Sequence, residues 1–389
     1  MQHYDAVVVG SGPGGSSCAR WLVQGGLRVA LLDRAQFPRV KLCAGWLSLP
    51  VWDALELRPS EYPAGLWPWE RCHVELGGKR YTSRARGYFV RRYEFDDYLV
   101  QQSGADRHQH VVKTLQWDGD AWIIDDQFRA TYLVGAGGTH CPVARALFPA
   151  KPRAPVGVQE HEFPVDAAAV VQTRIGADGE PYLLLHDDLR GYSWNISKTD
   201  WLNVGCGTVD PKQVRAAWRA ARTAFETGGS LPASAGPALD HMKGHSYYLF
   251  DPEHLRQCQH GNALLVGDAL GLAQPITAEG ILPAIVSARR CADAILAGDP
   301  GSYRARLQTS PVFEDYTVLY RAREAGAALR ARAGRRSTDA PASNPRPGPS
   351  LLGRLTHPLL ASGFAWMFSG QPLPARGLMR RLQPRGGVS

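Results

Sequence analysis

Three strings within the first 33 residues constrain the fold more than any other part of the chain. They are Tyr4–Gly10 (YDAVVVG), Gly10-Ser-Gly12-Pro-Gly-Gly15 and Arg28–Asp33 (RVALLD). A short apolar run ending in glycine predicts a buried parallel strand. Ser16–Gln24 predicts a helix, and 28–33 predicts a second strand. A G-x-G-x-x-G between strand and helix, with an acid about 20 residues on, is the dinucleotide-binding βαβ pattern. Gly10 permits the tight turn, Gly12 lets backbone approach a pyrophosphate, and Gly15 lets helix and sheet pack closely. The phosphates then meet free N–H groups at the helix N-terminus. Asp33 is placed to accept from the ribose hydroxyls, and Arg34 beside it is a further candidate contact.

The rest of the chain predicts a large α/β protein. A polar, Trp- and Pro-rich region covers residues 50–72. His73–Tyr81 and Tyr88–Arg91 read as strands, with Gly77-Gly78 as a hairpin turn. Asp96–Gln102 reads as a helix. Ala121–Ile124 and Phe128–Val134 are strands running into a glycine cluster. Residues 156–210 alternate apolar and polar positions, which suits an antiparallel sheet. Val214–Thr227 is helical, Asn262–Val266 returns to a buried strand, and a long helix over Glu279–Leu296 follows. A further helix covers 312–333. The seven cysteines contain no C-x-x-C pair and suggest neither a metal site nor a disulfide framework.

Several later strings resemble the geranylgeranyl reductase family of FAD-dependent oxidoreductases, within the hydroxylase- and halogenase-like flavoproteins. Ala263–Asp268 (ALLVGD) continues to Pro275, Gly280 and Ile281 in a G-D-A…P-x-x-x-x-G-I string. The resemblance implies that Asp268 meets the ribityl chain of FAD and that Pro275, Gly280 and Ile281 line the flavin ring. Arg92-Tyr-Glu-Phe95-Asp96-x-x-Leu99 resembles a segment whose Arg approaches the cofactor. Arg92 also reads as an ordinary helix-start charge. Tyr132–Arg145 resembles the G-A-D-G segment, with Gly137 where the family carries Asp. Phe37-Pro38-Arg39-Val-Lys41-Leu-Cys43-Ala-Gly45 resembles the reductase F-P-R-x-K-x-C-G-G loop, where halogenases carry G-E-S. It makes Cys43 a candidate catalytic residue facing the flavin, with a buried inert thiol as the alternative. Gly191–Lys198 (GYSWNISK) resembles the reductase Y-x-W-x-F-P-K motif and half-matches a halogenase motif. Alternation puts Tyr192, Trp194 and Ile196 on one strand face. Tyr192 and Trp194 are candidate active-site residues walling the substrate cavity; plain core packing is the other reading.

The resemblance covers about residues 1–300 and implies a Rossmann-type FAD-binding domain (1–72, 92–150 and 255–300) with an inserted antiparallel-sheet substrate domain (73–91 and 151–254); the residues beyond predict a helical C-terminal region. That region comprises a helical extension over 301–333, a linker over 334–350 and a basic amphipathic tail over 351–389. The activity implied is reduction of C=C bonds in an apolar, isoprenoid- or polyene-like small molecule or lipid. A flavin monooxygenase or halogenase acting on a natural product is the alternative. A quinone oxidoreductase of the same superfamily ranks last, because no cluster-binding cysteine set is present. No second nucleotide fingerprint exists, so NAD(P)H or another external electron donor is not held by a separate dinucleotide domain.

Charge places the partners. The chain carries 44 Lys and Arg against 36 Asp and Glu, yet twelve Arg and only two acids lie from Arg321 onward. The first 320 residues are therefore slightly acidic, which argues against nucleic acid as a partner. In the tail Leu351, Leu352, Leu355, Leu359, Leu360, Phe364, Trp366 and Phe368 interleave with Arg354, Arg376, Arg380 and Arg381. That pattern suits an anionic membrane surface or a helix closing the substrate cavity. With no signal-peptide pattern at the start, a cytoplasmic protein, peripheral at a membrane, is the expectation.

Overall fold

Two eight-stranded sheets organise the chain in the computed structural model, which describes residues 1–151, 153–173, 179–337 and 351–373. In the first, strand Gln2–Val9 is central. Val29–Asp33 and then Asp106–Gln109 lie to one side, Phe128–Gly135 and Ala263–Leu265 to the other, all parallel. The run Ala6–Val9 is buried throughout, as in a parallel sheet covered on both faces. Helices Pro13–Gln24 and Ile281–Leu296 pack against each other. Gly14 makes that approach close: a Cβ there would meet the Ala284 carbonyl oxygen at 3.3 Å. The opening βαβ unit is as the sequence predicts, with its helix starting three residues earlier, at Pro13, where the missing N–H costs nothing.

The second sheet runs Lys243–Tyr247, Val156–Pro164, Trp201–Thr208, Gly191–Lys198, Tyr182–Leu185, Leu66–Leu76, Lys79–Val90, Trp46–Ser48. It departs from the expected antiparallel sheet at one seam, where Tyr182–Leu185 pairs parallel with Leu66–Leu76. The hairpin turns at Gly77 and Gly78, whose φ values of 58° and 72° fit a two-residue turn. This sheet also reaches further back than residue 73. Pro68 hides the start of its strand, because proline argues against a central strand. Here it is tolerated, since Leu66–Leu76 has its second neighbour only over His73–Glu75.

Strand alternation gives the second sheet two apolar faces. Tyr182, Leu202, Val204 and Cys206 pack under helix Val214–Thr227 through Trp218, Ala221 and Phe225. Leu183, Trp194 and Ile196 point the other way, toward the first sheet, and join Trp46 and Trp69. Helix Pro311–Ser337 runs past the expected linker start at 334, and residues 338–350 lie outside the described ones. Helix Leu351–Met367 then packs on the second sheet, against strands Leu66–Leu76 and Lys79–Val90. Ala361, Phe364, Ala365 and Phe368 are buried against it, Trp366 is half-buried, and Leu359 and Leu360 face outward. Arg376, Arg380 and Arg381 lie outside the described residues. Among the described residues no helix is long and apolar enough to cross a membrane.

Candidate cofactor and substrate site

A cavity of about 440 Å³ lies between the two sheets. Its floor is the Gly-rich turn. Gly10 has φ +108°, and a Cβ there would fall 2.5 Å from the Ala136 carbonyl. At Gly12 only Arg39 Nη2, 3.9 Å away, would be near a Cβ, so space is open before the helix N-terminus. Asp33 ends the neighbouring strand and is tied to the turn: Oδ2 accepts from Ser11 N–H at 2.7 Å and Oδ1 from Ala35 N–H at 2.9 Å. Asp33 and Arg34 both line the cavity, whereas Gly15 lies beneath the turn. These residues fit a dinucleotide: open room beside exposed N–H groups, with a carboxylate at the expected strand end.

Asp96 organises the cationic side. Its carboxylate is wholly buried and receives Arg92 in a two-point contact of 2.5 and 2.8 Å. Arg39 Nη2 lies 3.2 Å from the same carboxylate. Burial works against the Arg92 charge, but Asp96 and the adjacent Cys43 more than offset it and hold the guanidinium above the ordinary arginine range. Both arginines line the cavity. Asp96→Asn leaves two cations without their shared counter-charge. It is expected to lower the unfolding free energy by about 3–5 kcal/mol, read by urea denaturation.

The segment after strand Ala263–Leu265 supplies another wall. Asp268, Gly280 and Ile281 line the cavity, and a Cβ on Gly280 would meet Asp268 Oδ1 at 3.2 Å. Burial pushes the Asp268 carboxyl up, against the pull of Lys41 and Arg92. Pro275 does not line the cavity, contrary to the sequence expectation. The Gln274 side chain accepts from the N–H groups of Ile276 and Thr277 and turns the chain, so that Thr277–Ile281 faces inward. The Pro275 carbonyl instead accepts from Arg323 Nη1 at 3.3 Å. Gly137 lines the cavity where the resemblance would carry Asp; a Cβ there would meet Cys141 Cα at 3.1 Å.

Across from this cradle stands an aromatic wall. Cys43 is half-buried at the cavity, its Sγ accepting from Gly45 N–H at 3.3 Å. Its carbonyl accepts from Asn203 Nδ2 at 3.2 Å, and Asn203 Oδ1 accepts from Trp194 Nε1 at 2.7 Å. The Cys43 loop is thereby fastened to the wall. Tyr192 donates its hydroxyl to the Thr277 carbonyl at 2.5 Å, and burial pushes its phenol above the ordinary range. The polar atoms of Tyr192 and Trp194 are thus committed to fixing the wall, and their rings shape it. Phe364 and Phe368 meet the Tyr192 ring edge-on at 5.3 and 5.7 Å. Trp46 Nε1 donates to the Phe368 carbonyl at 3.1 Å, so the C-terminal helix closes this end.

The sequence did not single out several lining residues. Glu160 and His245 come from strands Val156–Pro164 and Lys243–Tyr247, with Tyr247 beside them. Burial pushes the His245 imidazole down to about 3, helped by Lys41 and Arg92, so it stands neutral. Glu279 accepts from Ser48 Oγ at 2.7 Å and is pushed up to about 7 by burial. Only strand alternation marks Glu160, His245 and Tyr247, and it does not say which face meets a ligand.

No family model matches the chain. A chloroplastic geranylgeranyl diphosphate reductase of rice is 28% identical over 334 residues, covering 76% of this chain and 67% of that one. A geranylgeranyl bacteriochlorophyll reductase-like protein of Thermoplasma acidophilum has a similar fold. Its TM-score is 0.61 at 19% identity, covering 79% of this chain and 82% of that one. The myxobacterial chondrochloren halogenase, described as FAD-dependent, aligns with a TM-score of 0.65 at 20% identity, over 94% of this chain and 98% of that one. The fold is thus shared by reductase-like proteins and halogenases, and the sequence relatives include geranylgeranyl diphosphate reductases. With the Gly-rich turn, the Cys43 loop and the aromatic wall gathered at one cavity, the chain is similar in sequence to geranylgeranyl diphosphate reductases and shares its fold with flavin-dependent oxidoreductases and halogenases.

Proposed function

We propose that this protein binds FAD in the cradle and reduces C=C bonds of an apolar, isoprenoid- or polyene-like substrate. The observation that carries this reading is the loop Phe37–Ser48, whose residues 39–44 and 46 line the cavity between the Gly-rich turn and the aromatic wall. Bound there, FAD supplies the two-electron hydride chemistry that side chains lack. Gly10, Gly12 and the helix N-terminus hold the pyrophosphate, Asp33 with Arg34 the ribose, and Asp268, Gly280 and Ile281 the ribityl chain and ring edge. Trp46, Trp194, Ile196 and Phe368 exclude water and orient an apolar chain. Electrons come from NAD(P)H or another external donor. The proposal extends to the arginine-rich tail, which draws the enzyme to an anionic membrane surface where such substrates reside.

The test is anaerobic. Purified protein is expected to be yellow and to release FAD. After reduction with dithionite, geranylgeranyl diphosphate is expected to reoxidise the flavin and gain two hydrogens per bond reduced, with no oxygen present. Flavin that stays reduced with every prenyl lipid or polyene, yet consumes oxygen stoichiometrically while hydroxylating or halogenating an aromatic compound, overturns this reading in favour of a monooxygenase or halogenase.

A further inference from the structure

Saturating a C=C bond takes one hydride and one proton, and the proton must come from a group in reach of the second carbon. Cys43 sits beside the Arg92 guanidinium and accepts from Gly45 N–H, a setting for a hydrogen-bond acceptor. Tyr192 is committed to Thr277. Glu160 differs from both. It lines the cavity, is 2% exposed, and its Oε1 is buried with no hydrogen-bond partner among the described residues. Across the sheet it pairs with Gly205, which pairs in turn with Trp194. A Cβ on Gly205 would fall 2.4 Å from the Trp194 ring and 2.7 Å from Glu160 Cβ. The absent side chain lets the Trp194 ring and Glu160 close over one spot, a carboxyl stationed within an aromatic wall.

We propose that Glu160 is the acid that completes alkene reduction, a proposal that rests on the C=C reductase reading. One alkene carbon receives hydride from reduced FAD and the π bond breaks. The electron pair left on the second carbon takes the proton of the Glu160 carboxyl, and solvent reprotonates the carboxylate. The flavin, left oxidised, is recharged by a reduced nicotinamide or another external two-electron donor. Glu160 is suited to this at neutral pH: burial pushes it up to about 8, with Glu162 adding to the rise and Lys41, Lys198 and Arg92 opposing it. Lys198 is itself engaged by Glu162 and by the Val90 carbonyl. Tyr192 and Tyr247, which also face Glu160, are held neutral by burial, as is His245 on the adjoining strand.

The experiment uses the full-length, FAD-loaded enzyme, reduced anaerobically and mixed with geranylgeranyl diphosphate. Glu160→Gln is expected to slow hydrogenation by about 10²–10⁴-fold while flavin content and quenching of flavin fluorescence by the probe stay as in the wild type. The wild-type rate is expected to fall as pH rises through about 8, and Glu160→Asp to recover part of the loss that Gln causes. Infrared difference spectra, wild type minus Glu160→Gln, are expected to show a carboxylic-acid carbonyl band at neutral pH that fades on the same titration. A Gln variant with wild-type rate and pH profile overturns the proposal, as does a missing acid band at neutral pH. Wild-type enzyme that leaves the lipid untouched counts against the reductase reading instead, and the infrared measurement still decides whether Glu160 holds a proton to give.

Discussion

Gly15→Ala is expected to yield a chain that retains little flavin and unfolds at lower temperature than the wild type. A Cβ at this position would lie 1.8 Å from the Gly10 carbonyl oxygen and 3.1 Å from Ala136 Cβ. Neither neighbour can yield cheaply. Gly10 N–H donates to the Leu32 carbonyl at 2.7 Å, and Ala136 N–H donates to the Val9 carbonyl at 2.8 Å. The helix must therefore lift off the strand. Overpacking of this kind costs about 1–3 kcal/mol, and the displaced helix end no longer aims its N–H groups at a pyrophosphate. Flavin absorbance per chain and thermal unfolding read the two effects. Gly363→Ala is the control, because a Cβ there would meet nothing within 4 Å. A Gly15→Ala protein as yellow and as stable as the wild type would refute the close packing.

Ending the chain at Ser337 is expected to open the substrate wall. The deleted part includes Ala361, Phe364, Ala365 and Phe368, all buried against Trp46, Tyr192 and their neighbours. Each Phe contributes about 1.5–3 kcal/mol by burial. The bonds from Trp46 Nε1 to the Phe368 carbonyl and from Leu49 N–H to the Ser369 carbonyl are lost with them. The truncated protein is expected to bind a hydrophobic dye, melt earlier and hold geranylgeranyl diphosphate more weakly. An unchanged melting temperature with no dye binding would sink the capping role. The same pair of proteins tests membrane attraction: the full chain is expected to sediment with anionic vesicles and the truncated one to remain in solution. Equal sedimentation ends the membrane proposal.

The parts legible in sequence are those written over short distances. Gly10, Gly12, Gly15 and Asp33 fall within one βαβ unit, and Gly77–Gly78 marks its hairpin locally. Where pairing is distant, the sequence is silent. Nothing near Tyr182 announces a parallel seam with Leu66–Leu76, and Pro68 argues against the strand it belongs to. Glu160 and His245 reach one cavity only because their strands pair in register, with Val158 opposite His245. The tail left two readings open, since apolar residues beside arginines suit both a lipid surface and a protein groove. Phe364 and Phe368 are settled by packing against a sheet that no local pattern locates.

The sheet around the central strand Gln2–Val9 is completed only when Ala263–Leu265 arrives. In between, the chain lays down the strands of the other layer, from Trp46–Ser48 to Lys243–Tyr247, interrupted by Asp106–Gln109 and Phe128–Gly135 of the first sheet. The edge of Leu133–Gly135 therefore waits unpaired while residues 136–262 are made. Helix Ile281–Leu296 comes later still, and only then is the cradle walled on the side of Asp268 and Gly280. A ligand held in this cradle ties the first and last thirds of the chain together. In a cell, the supply of flavin becomes a determinant of how much of this protein reaches its folded form, through the stabilisation that any ligand of the native state confers.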